Sequence, residues 1–300
     1  DRNALKALYA EKKGTGTYEA ECKAYLLAHG YEIKRTYSYG YTSDPLTYDV
    51  FLTSQASDSE VLVMTYDGLA EYDGEGILRP ALATEWNVSD DGLVWTFKIR
   101  EGVKWVDSTK AVIGEVTADD FVAGFQHMLD DPEGGLSWLV DGLIVGVHEY
   151  INSETEDFAE VGVKAVDKYT LEYTLTDPCT YFDTMLSYGI FAPLNRAYYE
   201  GLGGKFGFNP DNSGCTYGTS KDTIAYCGPY IISSAIAENT FVFEKNEAYW
   251  NKDNINLDKI TWVYNSGKIA TQAYSDFTAG TIDGCGLNAA TLELAKADGN

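Results

Sequence analysis

The side chains able to do chemistry in this 300-residue chain are three histidines, five cysteines and 46 carboxylates. His29, His127 and His148 do not combine with Cys22, Cys179, Cys215, Cys227 and Cys285 at zinc-site spacing, and no Cys-x-x-Cys pair occurs. A zinc centre is therefore not expected. Each histidine reads as a surface or capping residue. Cys215 and Cys227 flank a Gly/Tyr/Ser/Thr-rich stretch. They are a candidate disulfide, worth at most about 3 kcal/mol and implying an oxidising compartment. Buried free thiols are the equal alternative. The carboxylates are numerous enough for two of them to meet in a cleft as acid and base, which keeps a secreted hydrolase open. No tight carboxylate motif stands out, however. The chain has no Gly-x-Ser-x-Gly elbow, no His-Glu-x-x-His and no phosphate-cradling loop with lysine. Asp73-Gly74-Glu75-Gly76 lacks the spaced oxygen ligands of a calcium loop and reads as a β-turn. No catalytic residue and no metal or cofactor site is expected.

The setting is acidic and aromatic. Twenty-two basic residues against 46 acidic ones give a net charge of −24, which repels phosphate backbones and anionic lipid alike. Nucleic acid is thus not an expected partner. Hydrophobic residues make up 45% of the chain, enough for a real core, and tyrosine occurs 23 times. No apolar run approaches the roughly 20 residues of a membrane span. The chain opens on Asp1-Arg2-Asn3 without a signal peptide. If the protein is exported, its leader was removed or lies outside this sequence.

Several elements can be placed from pattern. Tyr18, Cys22, Tyr25 and Leu26 form one helical stripe that stops at His29-Gly30. Ile33 to Tyr41 reads as a strand, and the stretch from Thr42 to Gln55, with Asp44-Pro45, as extended or turning. A short helix is expected from Asp58 to Tyr66. Leu93, Trp95, Phe97 and Ile99 alternate with Thr96, Lys98 and Arg100, the period of a half-buried strand. Thr117 caps a helix whose buried face is Phe121, Phe125, Met128 and Leu129; Asp131-Pro132 ends it, and Glu133-Gly134-Gly135 follows as a flexible loop. Hairpins are expected at 163–175, turning at Asp167-Lys168, and at 230–244, turning near Glu238-Asn239. A strand from Ile260 to Tyr264 leads into a helix from Lys268 to Thr278. Strands with interspersed helices indicate an α/β or α+β architecture.

The stretch from Leu78-Arg79-Pro80-Ala81-Leu82 through Glu85-Trp86, Asp90-Asp91-Gly92, Trp95-Thr96-Phe97 and Glu101-Gly102-Val103-Lys104-Trp105 resembles the signature region of the family 5 extracellular solute-binding proteins. Further landmarks match in order: Asp44-Pro45-Leu46, Tyr66-Asp67-Gly68-Leu69, Val116-Thr117-Ala118-Asp119-Asp120-Phe121, Gly228-Pro229-Tyr230, Asn246-Glu247-Ala248-Tyr249-Trp250 and Gly280-Thr281-Ile282-Asp283. The resemblance runs from about Thr36 to Asp283; residues 1–32 fall outside it and read as an N-terminal helical extension. Trp86, Trp95 and Trp105 read as packing residues, and Gly68, Gly92 and Gly228 as backbone requirements.

The resemblance implies an α/β periplasmic-binding-protein clamshell, type II, with an inserted subdomain and a ligand enclosed between two lobes. Residues 33–57 with 179–264 would form the main sheet of lobe I, 58–178 the insert, and 265–300 the start of a truncated lobe II. The implied function is capture of peptides for the permease of an ABC transporter, by a monomer without cofactor, outside the cytoplasm, as a cell-surface lipoprotein or a periplasmic protein. The same fold binding an oligosaccharide, or serving as a peptide or pheromone sensor, stays open; scarce histidine argues against nickel. In such proteins a main-chain segment before the first insert helix pairs with the peptide, and Ser54, Gln55 and Ala56 match it. The family's cleft tyrosine aligns near Gly135, where it is missing, and Trp138 is close enough to replace it. Tyr264-Asn265-Ser266-Gly267 is the hinge candidate. The acidic residue that binds a peptide amino terminus lies beyond this chain in the family.

Overall fold

Residues 2–13, 15, 17–131 and 135–298 are described by a computed structural model. The N-terminal helical extension forms α1 (Arg2–Lys12) and α2 (Tyr18–Ala28), the latter carrying the expected stripe, with Tyr9 edge-on to Tyr18 at 5.0 Å. Gly30 takes a φ of +78° after α2, a conformation that suits glycine and stops the helix. Then come β1 (Thr36–Tyr41), α3 (Ala56–Leu62), β2 (Ala70–Tyr72), β3 (Leu78–Pro80), β4 (Ala83–Val88), β5 (Val94–Ile99), β6 (Lys104–Val106) and β7 (Val112–Glu115). They are followed by α4 (Ala118–Asp130), α5 (Val147–Ile151), β8 (Val163–Asp167), β9 (Thr170–Thr174), α6 (Phe182–Met185) and α7 (Arg196–Gly201). The chain continues through β10 (Tyr230–Ile236), β11 (Thr240–Lys245), β12 (Lys259–Tyr264), α8 (Gln272–Thr278) and α9 (Ala289–Asp298).

Two four-stranded sheets carry the fold. One has the order β1-β12-β11-β10 and the other β4-β5-β9-β8. In the first, β1 lies parallel to β12 with Tyr41 opposite Tyr264, so strands over 200 residues apart in sequence share one sheet. Tyr41, Phe241, Phe243 and Trp262 form its core, Phe243 and Trp262 at 5.0 Å. In the second sheet the expected alternation holds: Trp95, Phe97 and Ile99 are buried while Lys98 is exposed. The buried stripe of α4, including Phe121, Phe125, Met128 and Leu129, joins that core. Thr117 donates its backbone N–H to the Asp120 carboxylate at 2.7 Å, closing the first turn of α4.

The two halves are tied by a buried carboxylate. Asp67 Oδ2 accepts from Trp250 Nε1 at 2.7 Å and from Tyr249 Oη at 3.0 Å. The Arg100 guanidinium lies 3.7 Å over the Trp250 ring. Two sequence landmarks of unknown purpose, Tyr66-Asp67-Gly68 and Ala248-Tyr249-Trp250, are thus the two sides of one joint.

Some boundaries depart from pattern. Helix α3 begins at Ala56 and ends at Leu62, instead of running from Asp58 to Tyr66. Thr65 turns back on Leu62 through both its N–H and its hydroxyl. Its carbonyl then accepts from Cys227 and Gly228. A Cβ on Gly228 would lie 2.6 Å from the Tyr66 backbone, so this stretch is packed against another segment and cannot stay helical. Strand β1 starts at Thr36, and α8 starts at Gln272, after Gly267 at φ +70°. Both expected hairpins form. The expected loop residues Glu133 and Gly134 lie outside the described residues.

Candidate functional site

The segment that enters α3 is extended and pinned from below. Gln55 has φ −85° and ψ 133°, and Ser54, Gln55 and Ala56 are all exposed. Asp58 is only 1% exposed beneath them. Its Oδ2 accepts from the Thr53 hydroxyl at 2.7 Å and its Oδ1 from the Leu46 N–H at 2.8 Å. Thr53 Oγ1 in turn accepts from the Gln55 N–H at 3.0 Å. The Gln55 carbonyl accepts from the Ser59 N–H at 3.1 Å. Both backbone groups of Gln55 are therefore used internally. Among the described residues, the backbone groups of Ser54 and the Ala56 N–H have no hydrogen-bond partner. Chemically this is a short free strand edge, able to pair with another extended chain.

The chain leaving α4 passes directly over this segment. A Cβ on Gly135 would lie 2.5 Å from the Thr53 carbonyl, so the two backbones touch. Trp138, three residues further on in a short 3-10 turn (Ser137–Leu139), is 66% exposed. Structure thus brings the segment that carries Trp138 to Ser54-Gln55-Ala56, two stretches that sequence alone leaves some 80 residues apart.

Beside them lies a cavity of about 460 Å³ walled by Asp49, Leu52, His127, Tyr199, Asn212 and Tyr217. His127 is buried, contrary to its expected surface or capping role, because it faces the core side of α4. Its Nε2 meets Asp49 Oδ2 at 2.7 Å, and Asp49 Oδ1 accepts the Phe51 N–H at 3.0 Å. Burial pulls the imidazole pKa down, but Asp49, Asp130 and Asp131 outweigh it and leave it raised. Burial pushes the Asp67 carboxyl up to about 7, against the donors Trp250 and Tyr249.

The hinge candidate begins where β12 ends. Asn265 donates its N–H to the Tyr41 carbonyl at 2.8 Å, and Gly267 donates to Asn265 Oδ1 at 3.0 Å; Ser266 sits between them. The chain returns to β1 on its other edge, where Gly284 bridges Tyr39 and the Asp283 carboxylate accepts the Ser38 N–H at 2.8 Å. Sequence reasoning missed this second crossing, although Asp283 was already a landmark. It also missed Thr53 and Asp58. An expected helix starting at Asp58 makes that carboxylate read as a first-turn acid instead of a loop anchor.

The candidate Cys215–Cys227 disulfide is not formed: both are free thiols, as are Cys22, Cys179 and Cys285. Cys227 is fully buried with its N–H on Thr65, whereas Cys215 lies on the wall of the 460 Å³ cavity with its N–H on Asn212. Each is held by its own backbone partner. Among the described residues, no group of three or more His, Cys, Asp or Glu is placed to hold a metal, and no helix is long and apolar enough to cross a membrane.

Comparison with known proteins places this geometry. The profile of "Bacterial extracellular solute-binding proteins, family 5 Middle" matches residues 78–300. The oligopeptide-binding protein AmiA of Streptococcus pneumoniae is 39% identical over 246 residues, 82% of this chain but 36% of its own length. The chain thus spans little more than a third of that relative. Among solved structures, Haemophilus influenzae OppA in complex with RPPGFSPFR superposes with a TM-score of 0.75 at 25% identity, over 89% of this chain and 49% of that one. The substrate-binding domain of an oligopeptide ABC transporter from Bacillus anthracis gives 0.72 at 28% identity, over 84% and 45%. The α/β fold with its inserted sheet is the one shared with these structures, and the chain belongs to the bacterial extracellular solute-binding proteins of family 5.

Proposed function

We propose that this chain captures peptides outside the cytoplasm for an ABC importer, binding them by enclosure and without catalysis. The observation that carries the reading is the exposed, extended Ser54-Gln55-Ala56 edge, on which the Ser54 backbone groups and the Ala56 N–H have no hydrogen-bond partner among the described residues. A peptide offers donors and acceptors at regular spacing, so pairing with this edge recognises backbone and leaves side chains unread. Trp138, exposed and three residues after the Gly135 contact with Thr53, would supply an aromatic face for the ligand. The names of AmiA and of the OppA complex support a peptide over an oligosaccharide. Residues 33–57 with 179–264 serve as lobe I, 58–178 as its insert, and 265–300 as the start of lobe II. Tyr264-Asn265-Ser266-Gly267 absorbs the rotation on closure, and ligand drives closure by binding the closed form better. The closed monomer, secreted or lipid-anchored, then docks on the permease subunits.

The test is amide hydrogen exchange on the full-length gene product with a nonapeptide library carrying free termini. Slowed exchange at Ser54 or Ala56 is expected. A thermal shift with oligosaccharides and none with any peptide would sink the reading.

A further inference from the structure

The hydrogen bonds beneath the strand edge decide which of its groups a ligand can use. We infer that Thr53 and Asp58 are positioning residues that set the register of the bound chain, an inference that rests on the peptide reading above. Asp58 accepts on both oxygens, from Thr53 Oγ1 at 2.7 Å and from the Leu46 N–H at 2.8 Å. With its hydroxyl proton committed to Asp58, Thr53 Oγ1 has a lone pair for the Gln55 N–H at 3.0 Å. The Gln55 carbonyl is held by the Ser59 N–H at 3.1 Å and the Ser59 hydroxyl at 3.1 Å. The relay Asp58–Thr53–Gln55 therefore turns Gln55 inward and leaves Ser54 and the Ala56 N–H outward.

That arrangement allows two pairings. One ligand residue can exchange both bonds with Ser54 as an antiparallel partner. Alternatively, it can donate to the Ser54 carbonyl and accept from the Ala56 N–H as a parallel partner. Neither uses Gln55. The Gly135 backbone also packs against Thr53, where a Cβ on Gly135 would lie 2.5 Å from the Thr53 carbonyl, so Thr53 has little room to shift. Thr53 touches no ligand in this scheme; it acts through Gln55.

Two substitutions at one site separate positioning from bulk stability. Thr53→Val keeps the shape and removes the hydroxyl, leaving the Gln55 N–H and Asp58 Oδ2 without their partner. Thr53→Ser keeps the hydroxyl and loses only a methyl. With both variants folded at the assay temperature, nonapeptide-library affinity of the full-length protein should fall about tenfold for Thr53→Val and stay within about twofold of wild type for Thr53→Ser. Equal affinity of Thr53→Val and wild type would overturn the inference. Should Thr53→Val not fold, exchange on the wild-type protein decides. The Gln55 amide should be protected equally with and without peptide, while Ser54 or Ala56 gains protection only with peptide. Protection gained at Gln55 on binding would overturn the relay while leaving the strand edge intact as the site. No peptide-dependent protection anywhere in 53–56 would overturn the site itself, and the relay with it.

Discussion

His127 Nε2 and Asp49 Oδ2 lie 2.7 Å apart with each side chain 6% exposed. The pair fastens the last turn of α4 to the loop that becomes the strand edge. Asp49 also holds the Phe51 N–H, and Phe51 packs edge-on to the His127 ring at 5.7 Å. Tyr199, Tyr217, Asp130 and Asp131 face the same imidazole.

Removing one partner leaves a buried charge uncompensated. His127→Ala should therefore cost about 3 kcal/mol, read as a lowered urea midpoint. The pH dependence has a definite sign. The folded imidazole is raised above its ordinary 6.5, so its contribution is complete below pH 6.5 and is lost as pH rises through the folded value. The stability gap between wild type and His127→Gln should be widest near pH 6 and shrink above it. A gap independent of pH would contradict a charged pair.

Asp67 behaves in the same direction for a different reason. Its carboxyl is pushed up to about 7 by burial, above the ordinary 3.8. Its contribution is complete below pH 3.8 and falls as pH rises toward 7, where the buried group ionises. Asp67→Asn keeps an acceptor for Trp250 and removes the titration. The difference between wild type and Asp67→Asn in urea titrations should change between pH 4 and pH 7 and be flat above pH 8.

Glycines at close approaches should resist a methyl group. A Cβ on Gly124 would lie 2.6 Å from the Ala192 carbonyl and 2.8 Å from the Phe51 ring. Gly124→Ala should lower stability by about 1–3 kcal/mol despite the better helix propensity of alanine. Gly74, where a Cβ meets nothing within 4 Å, is the control: Gly74→Ala should stay within about 0.5 kcal/mol of wild type.

Trp138 offers the opposite separation. It is 66% exposed, so Trp138→Ala should shift the melting temperature little. If it flanks the ligand as proposed, nonapeptide affinity should still fall severalfold. Unchanged affinity would remove Trp138 from the site.

Thiol chemistry checks the cysteine assignment. All five cysteines of this chain are free, so alkylation of the denatured, unreduced protein and peptide mapping of residues 1–300 should label five thiols. Three would indicate a disulfide after all.

Much of the fold was legible from the sequence because local chain geometry writes burial into order. The alternation from Trp95 to Ile99 and the stripe from Phe121 to Leu129 each repeat with the period of their own backbone. The ordered landmarks from Asp44-Pro45 to Asp283 carried the family. Ser54, Gln55 and Ala56 are candidates through that resemblance alone, whereas the state of their backbone groups needs the fold.

What tertiary structure alone decided is which distant residues meet. Asp49 and His127 are 78 residues apart, Asp67 and Trp250 are 183 apart, and no periodicity links either pair. Cys215 and Cys227 are close in sequence, yet each backbone N–H is held by a different segment and the thiols stay free. The boundary of α3 shows the same priority: Gly228 packs against Thr65 and Tyr66, and the helix stops before them. Sequence determined the elements, because dihedral preference and hydrophobic period act within a few residues. The site was decided by packing, because a buried donor or charge must find its partner in space, wherever the chain has placed it.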